Sequence, residues 1–193
     1  MFKKIAIIFT LILSMFATTS FALTKEQKQV QIIWASVVKS ISILERNPNA
    51  NFLHFEKLVF ESFDVDRIVR SAVGPDWRNM SERQREEMTD VLTKHVFTKY
   101  IKMIKKFDLT TDQANEVYRD LQFSYRHKGK YTYIYTTIKD YNVTVKLITN
   151  TNKIVDISVE IFSLVGSARS DVQTAIDHHN VDGAIKSLAR RNK

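Results

Sequence analysis

The sequence contains no cysteine, and it is poor in glycine and proline. Its 193 residues include 4 Gly and 2 Pro, so the chain offers no linker and no second domain to propose. The absence of cysteine excludes a disulfide framework and a thiol nucleophile. The sequence therefore predicts one domain, long enough for a real core, that burial alone must hold together.

Recognisable metal-binding and catalytic motifs are lacking as well. The chain has five histidines: His54, His95, His127, His178 and His179. None has a metal-site spacing such as H-E-x-x-H, and the serines lie outside any G-x-S-x-G context. Asp64 and Asp66 could form an acid/base pair, but two carboxylates at a helix start are more typical of capping. We therefore expect neither a metal site nor an enzyme; the alternative is a small hydrolase or isomerase with clustered titratable groups.

The first residues have the pattern of a secretory signal peptide. Lys3 and Lys4 precede an apolar run over residues 5–16, and Ser20-Phe21-Ala22 ends in small residues of the kind that a signal peptidase recognises. We expect cleavage after Ala22.

This cleavage divides the chain into a signal peptide, residues 1–22, and a single domain, residues 23–193. No cysteine follows the signal, so we do not expect a lipoprotein anchor. An uncleaved membrane anchor is the alternative, although a span needs ~20 mostly apolar residues and this one would include Thr18, Thr19 and Ser20.

The chain carries an excess of positive charge. With 29 Lys+Arg and 21 Asp+Glu the formal charge is +8, and removal of Lys3 and Lys4 leaves 27 minus 21, or +6. A basic exported protein can favour an anionic lipid surface, an acidic partner or an anionic head group. A solvated basic surface without a specific partner explains the same charge. No nucleic-acid motif is present.

Hydrophobic periodicity predicts helices in the first part of the chain. Thr24 and Gln27 form a candidate capping box for a helix that ends at Asn47-Pro48, and a second helix is predicted over residues 52–63. A third long helix, residues 82–106, follows a capping box of Ser81 and Gln84.

From residue 121 onward the period changes to that of strands. Alternation at residues 121–125 and β-rich runs at 131–138, 143–149 and 154–165 predict four antiparallel strands. The segment 110–120 is compatible with a helix or a loop. Ser167 or Ser170 is predicted to begin a helix, and Asn180 to cap a last one. The predicted fold class is α+β, with helices packed on one face of a curved sheet.

Bulky side chains occupy both faces of the second predicted strand. Tyr131, Tyr133 and Tyr135 share one face, while Ile134 and Ile138 share the other. One face must meet the helices. The tyrosines could rim an opening or cover an exposed face, and core packing is the ordinary role of such residues.

The segment 63–100 is the most distinctive part of the sequence. Asp64 or Asp66 can cap a short helix that Gly74-Pro75 stops, and Trp77 then lies in a connection between two helices. Each residue of this segment has a capping, turn or packing role, so the segment identifies a scaffold.

This segment resembles the MlaC, or toluene-tolerance auxiliary, family, the periplasmic phospholipid-binding component of a lipid-asymmetry ABC system. The matching positions are Phe63-Asp64, Gly74, Trp77-Arg78, Gln84-Arg85 and Tyr100, followed near the C-terminus by Asp156, Val159-Glu160, Ser163-Leu164-Val165 and Arg169. The chain departs from the pattern at three positions. Asn152 stands in place of a tryptophan, Ile161 in place of a glycine, and Ala168 in place of an aromatic residue.

The resemblance implies a periplasmic phospholipid shuttle with no catalytic residue, no cofactor and phospholipid as the carried ligand. It implies an NTF2/cystatin-like sheet that encloses an apolar cavity, in a monomer that docks alternately with an inner-membrane ABC transporter complex and an outer-membrane lipoprotein complex. The candidate lipid-binding residues, chosen by apolar face and proximity to the matching positions, are Val69, Trp77, Val96, Tyr100, Ile104, Tyr133, Tyr135, Val145, Leu147, Ile157, Val159 and Phe162. The alternative is an exported or signal-anchored adaptor that binds a protein or an anionic membrane surface without an internal ligand.

Overall fold

Six helices and a five-stranded antiparallel sheet make up the computed structural model, which describes residues 24–192. The predicted signal peptide lies outside these residues. The helices are α1 (Lys25–Arg46), α2 (Phe52–Ser62), α3 (Val65–Val73), α4 (Glu82–Lys106), α5 (Thr111–Asp120) and α6 (Leu164–Arg191), with a 3-10 helix at Gly74–Asn79. The strands, in sheet order, are β1 (Phe123–Lys128), β2 (Tyr131–Ile138), β3 (Tyr141–Ile148), β4 (Ile154–Val159) and β5 (Phe162–Ser163). The predicted α+β class is confirmed.

Side-chain caps fix the starts of the long helices. Thr24 and Gln27 form a reciprocal capping box at α1, and Ser81 and Gln84 form another at α4, so both predicted boxes are confirmed. At α3 the cap is Asp64, whose Oδ1 accepts a hydrogen bond from the backbone N–H of Arg67 at 3.0 Å. The long helix begins and ends at the predicted residues 82 and 106.

The segment that the sequence left open between helix and loop forms α5. Thr110 caps it together with Gln113, and Ala114 is its buried contact residue. The helix packs against α1, where the indole N–H of Trp34 donates to the carbonyl oxygen of Ala114 at 3.0 Å. This tertiary contact favours the helical alternative for a segment with little apolar surface of its own.

The prediction of one strand over residues 154–165 is wrong. The chain reverses at Glu160, whose φ is +54°, and returns as the short strand β5. The backbone N–H of Glu160 donates to the carbonyl oxygen of Asn142 at 2.8 Å and holds this reversal against β3. The sheet therefore has five strands, where the sequence predicted four.

The predicted start of the following helix at Ser167 or Ser170 is also wrong. Ser163 is the cap of α6, because its hydroxyl accepts from the backbone N–H of Gly166 at 2.8 Å and donates to Asp156 at 2.6 Å. The predicted cap at Asn180 is confirmed: α6 breaks there at φ 58°, and the Asn180 side chain accepts from the backbone N–H of Gly183 at 3.1 Å.

The helices cover one face of the sheet, and the core lies between the two layers. The sheet is attached at its β4 end, where α3 and α6 contact β4 and the N–H of Asp64 donates to the carbonyl oxygen of Ile154 at 2.9 Å. Among the described residues, no helix combines the length and apolarity needed to cross a membrane.

The distinctive glycine of the sequence marks a close approach between α3 and α6. Gly74 has φ +72°, and a Cβ placed on it would lie 3.1 Å from Nη2 of Arg169. Any other residue would meet backbone strain and crowd this guanidinium. Gly74 therefore serves the scaffold, as the sequence indicated.

Candidate functional site

A narrow apolar cavity of about 40 Å³ lies between α1, α4 and the inner face of the sheet. Three groups of residues line it. Helices α1 and α4 contribute Val30, Ile33, Trp34, Val37, Tyr100, Met103 and Ile104. The segments that follow α4 and α5 contribute Phe107 and Leu121. Strands β1 to β4 contribute Phe123, Ile134, Thr136, Ile138, Val143, Val145 and Ile157.

The periodicities of the sequence explain why these residues converge. The members on α1 follow the spacing i, i+3, i+4 and i+7, and those on α4 follow i, i+3 and i+4, which places them on one side of each helix. On the strands, paired residues such as Ile134 with Val145, and Val145 with Ile157, share the face that meets the helices. The cavity is therefore a gap within the helix–sheet interface.

Helix α5 closes one side of the cavity through Trp34. The indole is 4% exposed, stacks on Tyr118 with ring centroids 6.2 Å apart, and donates to α5 as described above. Its polar N–H is thereby satisfied outside the cavity, while its ring presents apolar surface inward.

The one titratable side chain in the lining is Tyr100. Its hydroxyl lies 3.1 Å from Oγ of Ser40. Burial raises the pKa of Tyr100 to about 12, against the opposing effect of its hydrogen bond with Ser40. The phenol is therefore neutral in ordinary solution, and the lining carries no charge to offer a reacting group.

The cavity has the chemistry of a hydrocarbon site but is nearly closed in this conformation. Ligand cavities usually measure ~300–1,000 Å³, and a single water requires roughly 10–15 Å³ of comparable space. A volume of about 40 Å³ admits only small groups. Any acyl chain must separate α1 and α4 from the sheet to enter.

Four of the predicted lipid-binding residues, Tyr100, Ile104, Val145 and Ile157, come together in this lining. A further three are buried in the packed interface but outside the lining: Val69, Val96 and Leu147. Val69 and Val96 belong to the packing of α3 and α4, and Leu147 lies on the inner sheet face next to Ile154.

The remaining five predicted residues lie away from the cavity. Tyr133 and Tyr135 stack on each other on the outer face of the sheet. Along β2 the inner face is occupied by Ile134 and the residues at even-numbered positions on either side of it. Val159 and Phe162 line a surface groove beside β5. Trp77 contacts the guanidinium groups of Arg70 and Arg85, which lie 5.7 and 5.8 Å from its ring centre.

Sequence reasoning did not select the residues that α1 contributes, among them Val30, Ile33 and Trp34. Their helical spacing was visible, but the same stripe describes ordinary core packing. The three departures from the family pattern lie outside the lining. Asn152 occupies the β3–β4 turn, Ile161 the β4–β5 turn, and Ala168 is fully buried in α6.

The described residues contain no group of three or more His, Asp or Glu that could hold a metal ion. The densest ionic cluster links α4 to α6. Nε2 of His95 lies 2.8 Å from Oδ2 of Asp171, and Lys99 bonds the same carboxylate. Burial opposes ionisation of Asp171, but the bonds from Lys99 and His95 outweigh it and lower its pKa. A partly buried carboxylate joining two helices has a sufficient structural role.

Comparison with known proteins adds a family and a fold. A family model described as MlaC protein matches residues 27–190. Among solved structures, the chain is similar to a phospholipid-binding protein from Ralstonia solanacearum that was solved in complex with a phospholipid. The two share 13% sequence identity with a TM-score of 0.58, over 87% of this chain and 94% of that chain. A search among curated proteins finds no match.

Proposed function

The chain belongs to the MlaC family, and from this premise we propose that it binds a phospholipid and carries it through the periplasm. The observation that carries this proposal is the uncharged, apolar cavity between α1, α4 and the sheet. The Ralstonia protein, which has a similar fold and is described as phospholipid-binding, supports the same assignment.

The physical need for such a carrier follows from the cost of exposing acyl chains. Each CH₂ group is worth ~0.8 kcal/mol, so a chain of about fifteen groups loses on the order of 12 kcal/mol on entering water. A protein that encloses the tails and leaves the polar head at the surface removes most of this cost. The task requires no bond-making residue.

The cavity must widen for this task, and the distribution of polar contacts favours widening on one side. At the β4 end, Asp156 accepts from Ser163 and from the backbone N–H of Val165, which fixes the sheet to α6. The cavity lining itself consists of apolar contacts, with Tyr100 bonded to α1 and Trp34 to α5.

The polar contacts from α1 to the sheet lie near the N-terminus of this helix, where Gln29 bonds Asn152 and Glu26 lies 3.4 Å from His127. Apolar contacts have no preferred direction, so the C-terminal parts of α1 and α4 can move away from β1–β3 while these contacts and the β4 end stay attached.

Export and docking complete the proposal. The signal-like residues 1–22 would deliver residues 23–193 to the periplasm as one domain. There the protein would exchange lipid with an inner-membrane ABC transporter complex and an outer-membrane lipoprotein complex, as a monomer. The four clustered residues Tyr100, Ile104, Val145 and Ile157 are proposed to contact the tails.

Solvent extraction of the purified exported protein, followed by mass spectrometry of the lipids, tests the proposal directly. We expect phospholipid in stoichiometric amount. Substitution of Val145→Trp should lower the lipid occupancy at least about tenfold, since excluding two methylene groups costs ~0.8 kcal/mol each. Thr144→Trp is the matched control, because the neighbouring residue on β3 faces away from the cavity. It should retain the lipid.

Three results would contradict the proposal. The first is purified protein that holds no phospholipid and acquires none from vesicles, and the second is equal lipid occupancy in Val145→Trp and Thr144→Trp. Salt-sensitive binding to a protein partner by a chain that never contains lipid would instead support an adaptor without an internal ligand.

A further inference from the structure

The turn between β4 and β5 exposes two large apolar side chains to solvent. Ile161 is 89% exposed and Phe162 is 72% exposed, the highest values among the large hydrophobic residues that the structure describes. Isolated exposed apolar residues are common, but two adjacent ones at the tip of a tight turn form a patch. Residues 160–162 are called the β4–β5 tip below.

The β4–β5 tip is held firmly in this position. Glu160 has φ +54°, its backbone N–H is bonded to β3, and its carboxylate accepts from the backbone N–H of Asn142 at 2.7 Å. The left-handed conformation is unfavourable for a residue other than glycine, so surrounding contacts must maintain it. The fold therefore fixes Ile161 and Phe162 in an outward direction.

A basic groove of about 460 Å³ lies directly beside the tip, and Phe162 forms part of its wall. Its lysines are Lys99, Lys102 and Lys106, which follow one side of α4 and are called the lysine face. Lys99 bonds Ser167 and Asp171, whereas Lys102 and Lys106 are exposed. Glu160 is the one acidic residue in the groove lining, and its carboxylate is already engaged by Asn142.

The combination of an apolar tip with flanking lysines indicates which surface it fits. Lysine is depleted at protein–protein interfaces, because its ammonium group is strongly hydrated and its stem is flexible. At an anionic bilayer the same ammonium groups can stay hydrated near the head groups while apolar side chains enter the acyl boundary. We propose that the β4–β5 tip and the lysine face together dock this protein onto bilayers that contain anionic phospholipid.

The position of this surface relative to the cavity gives the docking a consequence. Met103 and Phe107 line both the groove and the cavity, so these side chains form a wall shared by the two spaces. A bilayer on the docking surface would face that shared wall. The docking proposal itself rests on the exposed tip and its lysines, and it holds whether or not the cavity carries lipid.

Vesicle flotation with the exported protein tests the docking surface. Wild-type protein should bind vesicles of phosphatidylcholine mixed with phosphatidylglycerol and should bind pure phosphatidylcholine vesicles much less. Ile161→Ser should weaken binding to the mixed vesicles about tenfold through loss of one inserted side chain. The pair Lys102→Gln and Lys106→Gln should weaken it about thirtyfold at low ionic strength, and added salt should reduce that difference.

The matched controls are Leu53→Ser and Lys57→Gln, which alter an exposed apolar residue and an exposed lysine on α2. Both should bind like the wild type. The proposal is overturned if wild-type protein does not bind the mixed vesicles, or if it binds pure phosphatidylcholine vesicles equally well. It is also overturned if the tip and lysine variants bind the mixed vesicles as strongly as the wild type. Circular dichroism of each variant identifies any that fail to fold, and these are replaced by Ile161→Asn or Lys102→Gln alone.

Lipid extraction from the same preparations keeps the two proposals distinguishable. Copurified phospholipid in a protein that does not bind vesicles would disprove the docking surface and leave the proposed carrier function unaffected. Vesicle binding by a protein that never holds phospholipid would disprove the carrier function and leave the proposed docking surface unaffected.

Discussion

The two halves of α4 are held in different ways. Polar contacts tie its first part, residues 82–99, called the N-terminal half, to α6 and to Asn192, which follows α6. Arg83 bonds Asp182 at 3.1 Å, His95 bonds Asp171 at 2.8 Å, and Asn192 donates to the carbonyl oxygen of Val91 at 2.9 Å. The C-terminal half, from Tyr100 onward, presents the apolar wall of the cavity.

This difference supports the proposal that the N-terminal half of α4 stays fixed against α6, as part of a frame, while the C-terminal half can move relative to the sheet. Directional hydrogen bonds hold α4 and α6 in one arrangement, whereas apolar contacts tolerate sliding and separation. Under the widening proposed above, the N-terminal half preserves the fold while the C-terminal half moves away from the sheet. Variants in each half should therefore differ in their effect on stability.

The largest expected effect comes from truncating a core residue in the tied half. Leu92 is 0% exposed, and Leu92→Ala should lower the free energy of unfolding by about 4 kcal/mol, through lost burial and a cavity that cannot collapse. Met103→Ala, in the half-buried wall of the cavity, should lower it by about 1 kcal/mol. Urea denaturation followed by circular dichroism measures both values.

The matched pair tests the comparison as much as the individual residues. Equal losses for Leu92→Ala and Met103→Ala would show that the cavity wall is packed as tightly as the frame. The proposed widening at the C-terminal half of α4 would then lose its physical basis.

Local chemistry made the helices predictable from the sequence. The caps at Thr24, Ser81 and Asn180 depend on a side chain and a backbone N–H three residues away, so adjacent sequence contains the whole signal. The reversal at Glu160 carried no such signal. The residue with the left-handed conformation is a glutamate inside a run of β-forming residues. A glycine or asparagine at this position would have predicted a turn.

The cavity was less predictable because its residues resemble ordinary core. Tyr135 and Ile134 are adjacent on β2, and either side chain is bulky enough to be buried. Strand periodicity places them on opposite faces without indicating which face the helices cover. That choice depends on the packing of α1 and α4, which is not a local property. For the same reason the helical stripe that includes Trp34 could not be divided into core residues and cavity residues.

A smaller effect is expected at the polar contact that joins α1 to the β3–β4 turn. Nε2 of Gln29 donates to Oδ1 of Asn152 at 2.6 Å, and Gln29 is 1% exposed. Asn152→Ala should lower the free energy of unfolding by about 2 kcal/mol, because it leaves a buried amide without this partner and places alanine at φ 58°. Urea denaturation provides the measurement.

Asn152→Gly separates the two causes. Glycine tolerates a positive φ, so this variant loses the hydrogen bond alone and should be destabilised by about 1 kcal/mol. Equal destabilisation by alanine and glycine would assign the whole effect to the hydrogen bond, and none to the backbone.

The smallest effect, and one that depends on pH, is expected in the tied half at Asp171. Its carboxylate contacts Lys99 and His95 on α4 and lies 3.9 Å from Nη1 of Arg191. Because the folded-state pKa is lowered, the carboxylate stabilises the fold above its ordinary pKa of 3.8, and this contribution is lost as the pH falls below that value. Asp171→Asn should therefore lower the free energy of unfolding by about 1 kcal/mol at neutral pH and by progressively less in acid.

Urea titrations across the acid range follow the difference between wild type and Asp171→Asn. Asp177→Asn, at an exposed position of the same helix, controls for the change in net charge and should track the wild type. A difference that stays constant down to strong acid would mean that packing of the Asp171 side chain, and not its ionised contacts with α4, holds the two helices together. Apolar packing would then stabilise the N-terminal half of α4 as it does the C-terminal half, and the two halves would differ only in packing density.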